Sequence, residues 1–408
     1  MIRRRNPRYY KGEFKDILGA IFSNRIASGD DTDLFEKKFA QYIGAKFAIA
    51  TCSGRNALSL LLDAFGLKEG DEVIMPAYTL KDLVYLIKEK GLIPKLVDIE
   101  KDSFNINPQL IPGQITPKSK VILATHIFGL ACDMEKILEI AKKYNLIVIE
   151  DCAHALGTRL NKKPVGSYAD AAFFSFETIK AINTFGGGII VTNNEKITQN
   201  VKDSIKNYPN KNYNLPAKIF FSYLEDLAIK SPFYPLIVRA FMNKITTKII
   251  SKIYLSVHNT TRVKKTRFTD LQALLGLKQL DFVDSRNKLR KSIADNLKNK
   301  LAKGILLQEA AILGDRTFYF FVIKLLNPKY AIEEFRRELI AQGLDCGIKN
   351  EITDNCAKYL GQEERFPITK EIYESTLQLP LYDNLTDEEV SKIAGILNQV
   401  ITKGINEE

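Results

Sequence analysis

Between residues 45 and 193 the chain alternates short apolar runs with helix-period stretches, and this alternation limits the fold more than any other feature of its 408 residues. The apolar runs are Phe47–Ala50, Glu72–Met75, Pro94–Ile99, Val121–Thr125, Leu146–Glu150, Ala171–Phe176 and Gly188–Thr192. Between several of them, 55–65, 79–90 and 133–144 carry apolar residues at i, i+3 and i+4, the spacing of one helix face. Strands separated by helices of this length predict an α/β fold. Its mainly parallel central sheet is sandwiched by helices, and its site lies at the carboxyl ends of the strands. Farther along, 268–301 reads as one long helix leading to a second lobe. There Thr317–Leu325 reads as a strand, and 330–342 and 386–401 read as helices on a small sheet, a smaller C-terminal α+β lobe. The chain is thus expected to divide into a basic N-terminal arm (1–25), a large lobe (26–300) with an insertion at about 208–262, and a small lobe (301–408).

The residues that carry chemistry fall where this architecture puts a site. Lys180 follows Ser175 by five positions in Phe-Phe-Ser-Phe-Glu-Thr-Ile-Lys and precedes Gly186-Gly187-Gly188. An apolar strand ends in a serine, presents one lysine and turns on glycines. Asp151 closes an earlier run, Leu-Ile-Val-Ile-Glu-Asp, and adds a fixed negative charge. Ser53-Gly54-Arg55-Asn56 leads straight into a helix, whose first amides favour an anion. An amine, an anion and a small-residue cup for phosphate are what pyridoxal phosphate (PLP) requires. Each residue also has a plainer reading. Lys180 could be a surface lysine, Asp151 a helix cap, Arg55 an exposed side chain of a first helical turn, and His154 a satisfied core histidine. The three glycines precede a strand rather than a helix, so they read as a tight turn and not as a phosphate fingerprint. Glu150 points to the opposite face of its strand from Asp151.

The order of short motifs resembles that of the DegT/DnrJ/StrS-type aminotransferases, PLP enzymes that aminate nucleotide-linked keto sugars. The resemblance runs from about residue 26 to 400. It rests on Ile26–Glu36, Ser53-Gly-Arg-Asn-Ala-Leu58, Gly70-Asp-Glu-Val-Ile-Met-Pro-Ala-Tyr-Thr79, His126-Ile-Phe-Gly129, Glu150-Asp-Cys-Ala-His154, Phe174–Lys180, Arg267-Phe-Thr-Asp-Leu-Gln-Ala273 and Leu379–Thr386. It implies the PLP-dependent transferase fold type I, with the cofactor in the large lobe. Lys180 would hold the cofactor and act as the catalytic base and acid. Asp151 would face the pyridine nitrogen, while Ser175 with Gly54, Arg55 and Asn56 would contact the phosphate. His154 stands where the family has a glutamine that packs on or bonds the ring. Tyr78 is the candidate aromatic over the ring, because Leu80 occupies the family's aromatic position. Arg55, Asn56, Leu80 and Lys265 all depart from the pattern; at position 265 relatives carry an asparagine that reaches the partner subunit's site.

The resemblance further implies a nucleotide-sugar substrate, an amino-acid donor (glutamate), a homodimer with shared active sites, and a place in the biosynthesis of glycans or secondary-metabolite sugars. Dehydratases of the same fold carry histidine at the lysine position, so Lys180 argues for amino transfer. A non-catalytic or regulatory member of the family is the alternative.

Bulk properties narrow the partners. The net charge of +11 is spread along the chain rather than gathered in an aromatic-interleaved stripe, which argues against nucleic acid and suits an anionic small substrate. Five scattered cysteines with no Cys-x-x-Cys pair, and three histidines without ligand spacing, predict neither disulfides nor a metal site and suit a reducing cytoplasm. Basic residues near Met1 have no apolar run behind them, so no signal peptide is expected. Residues 218–262 carry seven basic side chains against two acidic ones, a net of +5. Apolar runs there, such as Ser231–Val238, fall far short of the ~20 residues that span a bilayer. The insertion is expected either to bury its apolar face on its own lobe or a partner subunit, or to lie against anionic lipid on the inner membrane face.

Overall fold

The computed structural model describes every residue except 8, 24, 242–264, 310–313, 327 and 405–408. The expectations for the second half of the insertion therefore lie outside the described residues. Seven strands build the central sheet: β1 (Phe47–Thr51), β2 (Glu72–Pro76), β3 (Ile93–Val97), β4 (Ser119–Thr125), β5 (Ile147–Asp151), β6 (Ala171–Ser175) and β7 (Gly188–Thr192). Their order is β1-β7-β6-β5-β4-β2-β3. Only β7 runs against its neighbours; the others share one direction. The seven apolar runs of the sequence are these seven strands, to within a residue or two at most ends.

Large-lobe helices are α1 (Glu13–Phe22), α2 (Asp30–Ile43), α3 (Gly54–Ala64), α4 (Lys81–Glu89), α5 (Met134–Tyr144) and α6 (Glu195–Lys206). They continue with α7 (Leu215–Lys230), α8 (Tyr234–Phe241), α9 (Asp270–Leu280) and α10 (Val283–Lys298). Leu61 of α3, Ile87 of α4 and Val201 of α6 pack on one sheet face, while Phe39 of α2 and Ala273 of α9 pack with Phe174 and Ile189 on the other. Burial on both faces explains why strands such as β4 read as unbroken apolar runs rather than alternating ones.

The small lobe has an antiparallel sheet of β8 (Ile305–Leu307), β9 (Phe321–Leu325) and β10 (Thr376–Leu379). Helices α11 (Ile332–Ala341) and α13 (Asp387–Gly404) cover it, with α12 (Pro367–Ser375) leading into β10. Ile323, Leu339, Leu377, Ile393 and Leu397 form its core.

Two expectations are corrected. The stretch 268–301 is two helices, because α9 packs Gly276 on Phe35 in the large lobe whereas α10 buries Ala294 and Leu297 in the small-lobe core. The strand expected over Thr317–Leu325 starts only at Phe321. The preceding residues spend their backbone on the large lobe instead: Thr317 N donates to Thr158 Oγ1 at 3.1 Å, and Tyr319 N to the Phe128 carbonyl at 3.3 Å.

Side chains and short strands latch the lobes together. Tyr78–Thr79 pairs with Asp354–Asn355, and Asp98 accepts from Ile368 N, Thr369 N and Thr369 Oγ1 at 2.7–3.0 Å, capping the start of α12. The N-terminal arm also belongs to this latch, with Ile2 bridging to Leu344. Of the insertion, α7 buries Leu215 and Ile219 against Ile17, Phe185 and Leu271, so one face of it packs on its own lobe. Among the described residues no helix is long and apolar enough to cross a membrane.

Candidate active site

β1, β5 and β6 end on the same edge of the sheet, and their last residues assemble the site. Asp151 is the final residue of β5 and Ser175 the final residue of β6, on adjacent parallel strands. Ser53 follows β1 and caps α3, its Oγ accepting from Asn56 N at 3.1 Å. A Cβ on Gly54 would stand 3.1 Å from the Ser175 Cβ. Glycine at 54 therefore lets the helix start close on β6, leaving small groups and backbone amides around one point. That cradle, beside a buried carboxylate and an amine, is the donor set a pyridoxal phosphate needs, and the residues fit it.

Lys180 lies in the turn after β6, its backbone N–H donating to the Glu177 carbonyl at 2.9 Å. Burial pulls its amine down to about 8, while the charges of Asp151 and Glu177 hold it from falling further. Asp151 is itself 4% exposed. Burial pushes its carboxyl up, opposed by the Ala153 amide, which donates to Oδ1 at 3.0 Å, and by Lys180. Burial outweighs these groups, with His126 and the Thr125 hydroxyl among them, so the carboxyl stays raised, and a protonated ring nitrogen would add the counter-charge that lowers it.

The loop carrying Lys180 is held from behind. α9 opens on a capping box of Thr269 and Gln272. Gln272 Nε2 donates to the carbonyls of Gly186 and Thr184 at 2.9 and 3.3 Å, and Gln279 clamps Asn183 through both its amide and its carbonyl. Gly187 has φ +114°, and a Cβ there would meet Phe268 at 2.4 Å. The glycine turn and the Arg267–Ala273 motif are thus one device that fixes the lysine loop. Lys218 of α7 adds an ion pair to Glu177 at 2.9 Å.

The other sequence candidates divide. His154 comes to the site: it stacks on Tyr319 at 4.2 Å and 15°, and its Nδ1 accepts from Phe128 N at 3.4 Å. Burial, helped by Lys180, drives its basicity far down, so it is neutral. Arg55 pairs with Asp82 of α4 at 2.7 Å, and Asn56 turns its Nδ2 to the Tyr208 hydroxyl at 3.4 Å. Their backbone, rather than their side chains, faces the cradle's helix start. Tyr78 is packed in the interlobe core beside Phe128, 2% exposed, instead of lying free over the site. Lys265 is exposed.

Sequence reasoning missed Tyr319. The Lys180 amine sits 4.4 Å over its ring, so this small-lobe residue supplies the aromatic face that Leu80 does not. Its hydroxyl is buried without a hydrogen-bond partner. No local signal marks it, because it lies in a different lobe, 139 positions from Lys180.

Among the described residues, His126, Glu150 and Cys152 come within metal-binding reach of one another, all buried. Hydrogen bonding already occupies two of them. His126 Nδ1 accepts from Cys132 N at 3.0 Å, which places the ring proton on Nε2, donating to Glu150 at 3.0 Å. Glu150 also accepts from the amides of Gly166, Tyr168 and Ala169. This network braces the ends of β4 and β5 behind Asp151.

Comparison with known proteins shows the family and the fold. The sequence profile of the DegT/DnrJ/EryC1/StrS aminotransferase family matches residues 8–220 and 238–398. A dTDP-3-amino-3,6-dideoxy-alpha-D-galactopyranose transaminase from Aneurinibacillus thermoaerophilus is 30% identical over 408 residues, covering 98% of each chain. A GDP-perosamine synthase from Caulobacter vibrioides is 29% identical, covering 90% of this chain and 89% of its own. A putative sugar aminotransferase from Streptococcus pneumoniae, solved in its PMP form, shares the fold with a TM-score of 0.78 at 24% identity, covering 99% of this chain and all of its own.

Proposed function

Because this chain belongs to the DegT/DnrJ/EryC1/StrS aminotransferase family, we propose that its pocket transfers an amino group to a nucleotide-linked keto sugar, with Lys180 as the residue that holds the cofactor. The protein is a PLP-dependent aminotransferase, and its relatives are named for dTDP- and GDP-linked amino sugars. The observation that carries the assignment of residues is the pairing of Asp151 at the end of β5 with Lys180 beyond the end of β6, each altering the other's charge in a buried site.

Bound PLP supplies an electron sink that acidifies the Cα–H of an amino donor. Asp151 would keep a proton on the ring nitrogen, since its buried carboxylate would gain a direct cationic partner. Lys180 would hold the cofactor and, as a free amine, could move a proton between the donor's Cα and C4′, and an amine near 8 is suited to both directions. Ser175 and the first amides of α3 hold the phosphate at the helix start. His154, neutral and braced by Phe128 N, packs against the ring without competing for its proton. Tyr319 closes the site from the small lobe and excludes water from the amine.

Glutamate is the donor we infer, and a homodimer with shared sites the assembly; both follow from the family. The same reading divides the chain into the arm (1–25), a large lobe (26–300) that binds PLP and a small lobe (301–408) that closes over it, with Ile2, Ala294 and Leu297 joining the core of the small lobe. A cytoplasmic location suits its five free thiols. The test is an absorbance spectrum of the purified protein before and after glutamate. A visible band that bleaches with glutamate and returns with a keto acid supports amino transfer; a cofactor band that no amino acid alters contradicts it.

A further inference from the structure

Helix α7 is amphipathic in the wrong sense for a helix that faces only water. It buries Ser222 and Asp226 alongside Ile219 and Ile229, and exposes Phe220, Phe221, Leu224 and Leu227 in a stripe along successive turns. Phe233 and Leu236, 66% and 62% exposed, extend the stripe into α8. On the other side α1, which touches α7 through Phe14 and Tyr223, exposes Phe14, Leu18 and Phe22 while burying Glu13. Monomeric proteins rarely leave so large an apolar face to solvent.

The charges around it are sorted by sign. Acidic groups of these helices are buried or paired: Glu13 accepts from the Tyr223 hydroxyl, Asp16 from Tyr10 and Asp226 from Tyr9, while Glu225, its side chain partly exposed, is paired with Arg5. The exposed residues that carry charge on and beside these helices are cationic: Lys11, Lys15, Lys230 and Arg239. Lys230 also lies 4.6 Å over the Tyr9 ring. Apolar side chains ringed by cations, with the acids withdrawn, complement an anionic surface. A second copy of the chain is a poor fit, because a two-fold contact would lay one cation-ringed face against another. The family profile, moreover, breaks over residues 221–237, so much of this face lies outside the profile's match.

We propose that the face formed by α1, α7 and α8 rests on an anionic lipid bilayer, its phenylalanines and leucines among the headgroups and its cations on lipid phosphates. No described helix can span, so the contact is peripheral. The proposal is independent of the amination chemistry, since none of these exposed residues lines the site.

The test is sedimentation of the holoenzyme with phosphatidylglycerol vesicles and, separately, with phosphatidylcholine vesicles. Binding to the first at low salt, release at high salt and no binding to the second are expected. Leu224→Gln with Leu227→Gln should abolish binding, and Lys15→Glu with Arg239→Glu should weaken it about tenfold or more, while amination in solution stays unchanged. Wild-type protein left in the supernatant with phosphatidylglycerol at low salt overturns the proposal. So does equal binding by the variants. A loss of oligomer mass in the leucine variant, with no vesicle binding by wild type, would identify the face as a contact between copies of this chain.

Discussion

At the scale of single residues, the site depends on how burial acts on two opposite charges. Lys180 and Asp151 each carry a penalty for losing water, and each is partly relieved by the other. Lys180→Ala should fold normally but show no cofactor band and no amination. Asp151→Asn should keep the cofactor yet lose about 2–3 kcal/mol of transition-state stabilisation, the scale of one positioned charge; a rate within twofold of wild type would reduce Asp151 to a structural cap. The amine also titrates early. Competitive labelling of the cofactor-stripped protein with acetic anhydride should give Lys180 a midpoint of about 8, against 10.5 for an ordinary lysine. Since this value is lowered on folding, the folded chain binds fewer protons than the unfolded chain between about 8 and 10.5. Stability therefore rises with pH across that window and is insensitive to this group below it. A midpoint near 10.5 would show the amine to be solvated. Lys180, Asp151 and Ser175 stood out in the sequence because Asp151 closes one apolar run while Ser175 and Lys180 follow the end of another. Tyr319 was not: nothing local distinguishes it from a strand residue, and only the backbone bonds that draw 317–320 to the large lobe make it a site residue.

Elements, rather than residues, explain why several motifs share the chain's order. The Arg267–Ala273 segment has no catalytic group, yet it caps α9 and ties down the lysine loop through Gln272. Thr269→Ala should cost about 1 kcal/mol of stability through the lost cap, and Gln272→Ala should cost more, by leaving the buried Thr184 carbonyl unpaired and the Gly186 carbonyl with the Thr184 hydroxyl alone. Both should lower the rate of amino transfer more than they weaken cofactor binding. Equal activity in Gln272→Ala would mean that the loop is held by its glycine turn alone. The strands were readable because burial on both faces leaves unbroken apolar runs. The kink between α9 and α10 was not, because both halves keep a helical period and only their different packing partners separate them.

For the whole molecule, function depends on two lobes seated against each other with little tolerance. Gly129, at φ +88°, lies where a Cβ would stand 2.1 Å from the Thr317 carbonyl, directly under the segment that delivers Tyr319. Gly129→Ala should therefore displace Tyr319 from Lys180 and lower both thermal stability and activity, while the large lobe keeps its cofactor. Division into lobes could be read from the change of pattern after 300, whereas the sorting of charge on α7 could not, because its buried acids and exposed phenylalanines become evident only once the helix is packed. The central claim is that Lys180 is the lysine that carries the cofactor in the intact enzyme. Borohydride reduction of the holoenzyme fixes the pyridoxyl group on whichever lysine holds it, and peptide mapping then locates it. The predicted result is a single label on the peptide containing Lys180; a label on any other lysine would contradict the account.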